Sequence, residues 1–298
     1  MSENLVGTAY ADWIGRERER EDCIEAGAVN RLLATFDDGA GDDRAGDDGA
    51  STLAAGAALP PMWHWLGFLP RSPQASLGPD GHPVSDADEL RPDMGLPRRM
   101  FAGGSLRVLA PLPIGARLRR VSTLTDISEK KGRSGHLVFL TLRHRIYHEA
   151  RLCVEEVQNA VYREAGAPTL TPVPLATLPD PPPGTWVRVI RPDPVLLFRY
   201  SALTFNAHRI HYDRPYATGV EGYPGLVVHG PLIAMLLLEL VRRHSARPLL
   251  SFQFKAQAPL FDTAPFRVIG QPGAGGRVAL HAERCDGETA MAAEAVLG

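Results

Sequence analysis

The stretch PLIAMLLLELVRR, residues 231–243, decides the architecture. It is apolar on almost every side, and a helix that is apolar all round is one that is buried. Gly230-Pro231 opens it, since proline suits the first helical turn. Arg242, Arg243 and His244 close it, where positive charge meets the negative end of the helix dipole. Four runs follow, at 249–258, 266–270, 277–284 and 289–296, and read as strands. One strongly apolar helix followed by antiparallel strands predicts a helix wrapped by a curved sheet.

Upstream the same theme occurs once more. Residues 101–112, 116–128, 136–148 and 151–163 alternate apolar and polar side chains, which predicts a run of antiparallel strands. Residues 167–184 are rich in proline, which breaks helix and sheet alike, and read as a linker between two halves. Residues 185–190 read as a strand, and Asp193-Pro194 as a helix start with Asp193 as cap. Residues 12–36 are expected to be helical, with the charge run RERERED (16–22) as a solvated face. Residues 37–51, DDGAGDDRAGDDGAS, are acidic and glycine-rich and are expected to form a flexible loop. PPMWHWLGFLP, 60–70, reads as a core plug or a tunnel wall, and 71–97 as irregular loop.

The bulk numbers exclude several classes. The chain has 298 residues, 44% hydrophobic and 22% charged, with a formal net charge of −2. There is no basic stripe for nucleic acid, although a local basic pocket for an anionic small molecule stays open. Its longest apolar run, 232–238, is too short to span a bilayer. The start, MSENLVGTAYADW, has no basic segment leading into an apolar one, so no signal peptide is expected. Cys23, Cys153 and Cys285 are widely spaced and odd in number, which fits a reducing, cytoplasmic setting.

Nucleophile and phosphate-loop patterns fail. GRSG (132–135) is not a nucleophile elbow, and PGAGG (272–276) lacks the third glycine of a dinucleotide fingerprint. What remains is FRYSALTFNAHRIHYDRPYATGVEGYPGLVVHGPL, residues 198–232. It concentrates Asn206, His208, His211, Asp213 and His229, and three readings are open. His208 and His211, with Asp213 or His229, could form a metal set, but H-E-x-x-H and any cysteine partner are missing. The histidines could be hydrogen-bonded core residues. Or one could be a general acid–base group, since imidazole titrates near neutral pH. Gly230, at a helix N-terminus, could then stabilise developing oxygen charge. Arg199 and Arg209 are candidate contacts for a carboxylate or for phosphates.

At these residues the sequence resembles the MaoC-like, R-specific enoyl-thioester hydratases, whose signature is D-x-N-P-[LI]-H followed by a helix opening with H-G. The matching stretches are Asn206-Ala207-His208-Arg209-Ile210-His211 and His229-Gly230. The resemblance implies His211 as catalytic base and Gly230 as oxyanion donor. The family aspartate is Asn206 here, which cannot exchange a proton, so Asn206 should orient water or substrate. RYSALTFNAHRIHYD with GYPGLVVHGPL is similar to one subgroup, of mesaconyl-C4-CoA hydratases and type-2 hydroxyacyl-thioester dehydratases. PPMWHWLGF and MFAGGSLRVLAPLPIG in the first half resemble that subgroup too.

The resemblance implies an α+β double hot-dog fold, two units each with a central helix in a curved antiparallel sheet. The first unit, 1–166, would lack the catalytic motif and help form an acyl tunnel; the second, 185–298, would carry the chemistry. The implied reaction is reversible hydration of a 2-enoyl-CoA, with a short branched or dicarboxylic acyl group such as that of mesaconyl-C4-CoA. The alternatives are dehydration in fatty acid synthesis, a hot-dog thioesterase, and a non-catalytic acyl-binding subunit. Tyr200, His208, Tyr223 and His229 join Arg199 and Arg209 as expected substrate contacts. The expected partner is an acyl-CoA thioester. No metal is expected, no cofactor beyond the CoA of the substrate, no nucleic acid or membrane partner, and the assembly is a homodimer.

Overall fold

The structure, a computed structural model, describes residues 8–37, 52–84, 90–132, 135–164 and 180–298. Most of the acidic loop and of the proline-rich linker, and Arg133 and Ser134 of the GRSG turn, lie outside the described residues. The strands are β1 (Glu17–Cys23), β2 (Arg98–Val108), β3 (Arg117–Gly132), β4 (Gly135–His148), β5 (Arg151–Arg163), β6 (Trp186–Ile190), β7 (Leu249–Ala256), β8 (Phe266–Pro272), β9 (Arg277–Glu283) and β10 (Thr289–Leu297). The helices are α1 (Ala26–Thr35), α2 (Pro194–Leu203) and α3 (Gly230–His244). Among the described residues all ten strands join in one antiparallel sheet, in the order β1-β3-β4-β5-β2-β7-β10-β9-β8-β6. No described helix is long and apolar enough to cross a membrane.

α3 is the core of the second half. Every residue from Leu232 to Val241 is buried, and it packs against β8, β9 and β10. Each such leucine contributes about 1.5–3 kcal/mol by leaving water. Asp193 caps α2 as expected, its carboxylate accepting the Leu196 N–H at 2.8 Å. In the first half α1 sets Val29, Leu32 and Leu33 into the same core as Leu106, Leu118, Ile146 and Val154 of the sheet.

The expected helix over 12–36 holds only for its second part. The charge run is strand β1, paired with β3. Alternating signs have a period of two, so a strand sorts them by face. Glu17, Glu19 and Glu21 meet Arg145, Arg119 and Arg117, while Arg20 turns the other way and donates to the Leu69 carbonyl at 2.7 Å. Charges along an edge strand also blunt pairing with other chains.

The two halves meet where β2 pairs with β7, Gly104 opposite Phe254 and Leu106 opposite Phe252. A Cβ on Gly103 would run into the Phe254 carbonyl oxygen, and one on Gly104 into that of Val157. The pair of glycines therefore lets β2 lie close between β5 and β7. The 60–70 stretch plugs the core beside this seam. Trp65 sets its ring edge on Phe101 and Phe254 and donates to Glu156 at 2.7 Å. His64 lies 2.9 Å from the other oxygen of the same buried carboxylate. Burial alone would raise the Glu156 pKa, but the charge and hydrogen bond of His64, with His144 and the Gln158 hydrogen bond, together outweigh it and bring it down to about 2.

Candidate active site

His211 sits on a short turn, Arg209–His211, bracketed by Val227. The Val227 N–H donates to Ile210 O at 3.0 Å, and the His211 Nδ1–H donates back to Val227 O at 2.7 Å. This bond fixes the tautomer and leaves Nε2 as a free acceptor. His229, fully buried at the head of α3, stacks on the His211 ring at 3.6 Å and 19°. Its Nε2 lies 2.8 Å from Ser201 Oγ. Burial pushes the His211 pKa down to about 4, with the Val227 bond opposing. Burial likewise lowers His208 and His229. The His211 imidazole is therefore neutral at pH 7.

His211 opens onto a cavity of about 590 Å³ at the seam between the halves. Gly230, the first residue of α3, is on its wall, and the first N–H groups of a helix lack intrahelical acceptors. Asn206, His208 and Tyr223 also line the cavity. Asn206 Oδ1 accepts the His208 N–H at 3.0 Å, which shapes the turn that carries both side chains. A neutral imidazole and a helix N-terminus on one cavity can move a proton while oxygen charge develops.

Four of the expected substrate contacts lie elsewhere. Arg199 is on the exposed side of α2. Arg209 is held by Asp213 at 2.7 Å, by the Pro79 carbonyl at 2.8 Å and over the Tyr216 ring. Tyr200 is buried, donating to Met235 Sδ at 3.3 Å and meeting the His229 ring at its edge. His229 backs His211 rather than lining the cavity. The cavity draws its cations instead from Arg91, Arg98, Arg99, Arg163 and Lys255. Arg98 is paired with Glu221 at 2.8 Å. Asp80 and His82, from the stretch read as irregular loop, line the same wall as His208. The signal for them in the sequence was faint: an Asp-Gly-His turn, in which Asp80 Oδ1 accepts the His82 N–H at 3.0 Å. Glu239, the one carboxylate within α3, is away from the cavity and holds Arg242 and Arg243.

The family model for hydroxyacyl-thioester dehydratase type 2 matches residues 62–262. The chain is 50% identical over 286 residues to the mesaconyl-C(4)-CoA hydratase of Chloroflexus aurantiacus, across 96% of this chain and 97% of that one. Among solved structures it is similar to HtdX of Mycobacterium tuberculosis, with TM-score 0.63 and 15% identity over 95% of this chain and 100% of the other. A second protein of that organism, with a double hotdog fold, superposes with TM-score 0.53 at 15% identity, over 95% and 96% of the two chains. At such identities these two likenesses show the fold, a double hot-dog.

Because the folded pKa of His211 lies below the unfolded value of about 6.5, the unfolded chain binds the extra proton first. The stability this residue contributes is complete above about pH 6.5 and is lost as the pH falls toward 4. Nitrogen-detected NMR of labelled imidazoles checks this. His211 should remain the neutral Nδ1–H form at pH 6 and titrate near pH 4; titration near 6.5 would contradict the buried, carbonyl-bonded geometry.

Proposed function

The chain belongs to the hydroxyacyl-thioester dehydratase type 2 family, and from that premise we propose that it reversibly hydrates a short 2-enoyl-CoA carrying a free carboxylate, such as mesaconyl-C4-CoA. The observation that carries the reading is His211, neutral, with Nε2 open to the cavity that Gly230 shares. In this reading His211 Nε2 takes a proton from water as the oxygen attacks the β-carbon. The Gly230 N–H, with the dipole of α3 behind it, steadies the enolate-like thioester oxygen. His211 then returns the proton to the α-carbon on the same face. The cavity cations support an anionic substrate: Arg98, Arg99, Arg163 and Lys255 line the walls that the first half contributes or borders. Lysine and arginine there suit the acyl carboxylate and the phosphates of CoA.

The first unit thus supplies part of the acyl cavity, and the second carries His211 and Gly230. Dehydration of a 3-hydroxyacyl thioester in fatty acid synthesis is the same chemistry run backwards on another substrate. The engagement of Glu239 by two arginines argues against a thioesterase with its carboxylate on α3. A cytoplasmic setting is supported by three cysteines that form no disulfide with one another. A homodimer is supported by the sheet edge at β6, which lacks the charge run that guards β1, and sedimentation should return twice the 32.3 kDa chain mass; a single-chain mass would refute it.

The purified chain, given a panel of short, branched, dicarboxylic and long enoyl-CoAs, should hydrate the dicarboxylic ones fastest without releasing free CoA. Loss of the base in His211→Ala should lower kcat by about 10²–10⁴-fold, and Asn206→Asp should retain hydration. Wild-type turnover in His211→Ala, or thiol release in place of hydration, would overturn the reading.

A further inference from the structure

The reaction leaves one requirement that His211 alone does not meet. A water that presents a lone pair to the β-carbon points both hydrogens away from it, and each needs an acceptor. His211 Nε2 supplies one. The Asn206 oxygen gives one of its two lone pairs to the His208 N–H, which ties it into the turn, and its amide nitrogen can only donate. The aspartate of the family motif, an acceptor, is absent at this position.

An acceptor with a carboxylate behind it is present on the same wall. His82 lines the cavity, and its Nδ1 lies 3.1 Å from Asp80 Oδ2. A carboxylate accepts Nδ1–H, so Nε2 of His82 is left as a bare acceptor, just as the Val227 carbonyl leaves that of His211. The His82 ring lies 4.0 Å from that of His208, and the His208 ring 5.4 Å from that of His211. The loop that carries Asp80 and His82 belongs to the first half but is clamped to the motif of the second. Arg209 donates its backbone N–H to Asp80 O and a guanidinium N–H to Pro79 O, both at 2.8 Å. Gly81, at φ +89°, lies so close to the Ala207 carbonyl that a Cβ would collide with it.

Resting on the hydration reading above, we propose that His82, oriented by Asp80, is a second catalytic residue, whose Nε2 accepts the hydrogen of the attacking water that does not go to His211. One O–H bond of water breaks, its proton passing to His211 and on to the α-carbon. The other O–H survives in the product hydroxyl, hydrogen-bonded to His82 throughout. Burial lowers the His82 pKa, against the opposing hydrogen bond and charge of Asp80, with Arg99 and Arg91 reinforcing the fall. The ring therefore stays neutral, as an acceptor must. A metal is the competing use of this cluster, since one donor atom each from Asp80, His82 and His208 lie within 4.8 Å of one another. The hydrogen bond from His82 Nδ1 to Asp80 Oδ2 uses one of those donor pairs within the protein itself.

The test is steady-state hydration by the full chain and its His82→Ala, His82→Gln and Asp80→Asn variants, with melting temperatures measured alongside. His82→Ala should lower kcat by about 10²-fold, the scale of a misplaced reactant, with KM little changed. Added imidazole should restore turnover to it, and His82→Gln, which keeps an acceptor, should recover part of the loss. Asp80→Asn should lower kcat at an unchanged melting temperature. A folded His82→Ala with wild-type kcat, or a loss that neither imidazole nor glutamine relieves, would overturn the proposal. So would activity abolished by EDTA and restored by zinc. If His82→Ala fails to fold, Asp80→Asn and His82→Gln decide in the same way. Failure here with His211→Ala inactive leaves the hydratase reading intact; a wild-type chain that hydrates nothing takes both down.

Discussion

The pairing of β2 with β7 is the contact on which the site depends. It makes one sheet of two halves, and it is possible because Gly103 and Gly104 put no Cβ between β2 and its neighbours. Side chains along that seam, Phe101 and Ala102 on β2 and Lys255 and Ala256 on β7, are cavity walls. The aromatic packing of Trp65, Phe101 and Phe254 keeps the strands at their spacing. A residue with a side chain at position 104 would push on the Val157 carbonyl, and the displacement would reach the cavity through Phe101, which touches Gly230. Packed interiors pass such strain on because they have few voids to absorb it.

Burial does two things at this site. It strips water from the histidines, so they are neutral and their lone pairs are available. It also lowers the local dielectric, which strengthens what the N-terminus of α3 offers to developing negative charge. The cost is that a protonated His211 is hard to hold. In the hydration proposed above, a base with this character takes a proton only as the oxygen–carbon bond forms and gives it up again at once. The Val227 carbonyl, the stacked His229 ring and the Ser201 bond behind it hold the imidazole in the one orientation where that exchange is possible.

Those parts of the molecule whose determinants are local were legible in the sequence. α3, the strands after it and the Asp193 cap follow from periodicity and from neighbours within a turn. His211 and Gly230, which line one cavity, were singled out because their motif is compact. β1 was misread because alternating charge also suits a helix face; what decides it, Arg119 for one, lies 100 residues away. Arg199 and Arg209 were expected at the substrate because arginine suits carboxylates and phosphates, yet the sequence does not say from which side of a short helix a side chain leaves. Asp80, His82 and the cavity arginines were not seen, since only the closing of one half onto the other brings them to His211.

A single base on one cavity wall fixes the geometry of addition, and hydration of mesaconyl-C4-CoA in D₂O, with the product examined by NMR, tests this most directly. The new hydroxyl and one deuterium at the α-carbon should lie on the same face, with no second deuterium incorporated. Addition to opposite faces, or deuterium scrambled over both α positions, would contradict a mechanism in which His211 both takes and returns the proton.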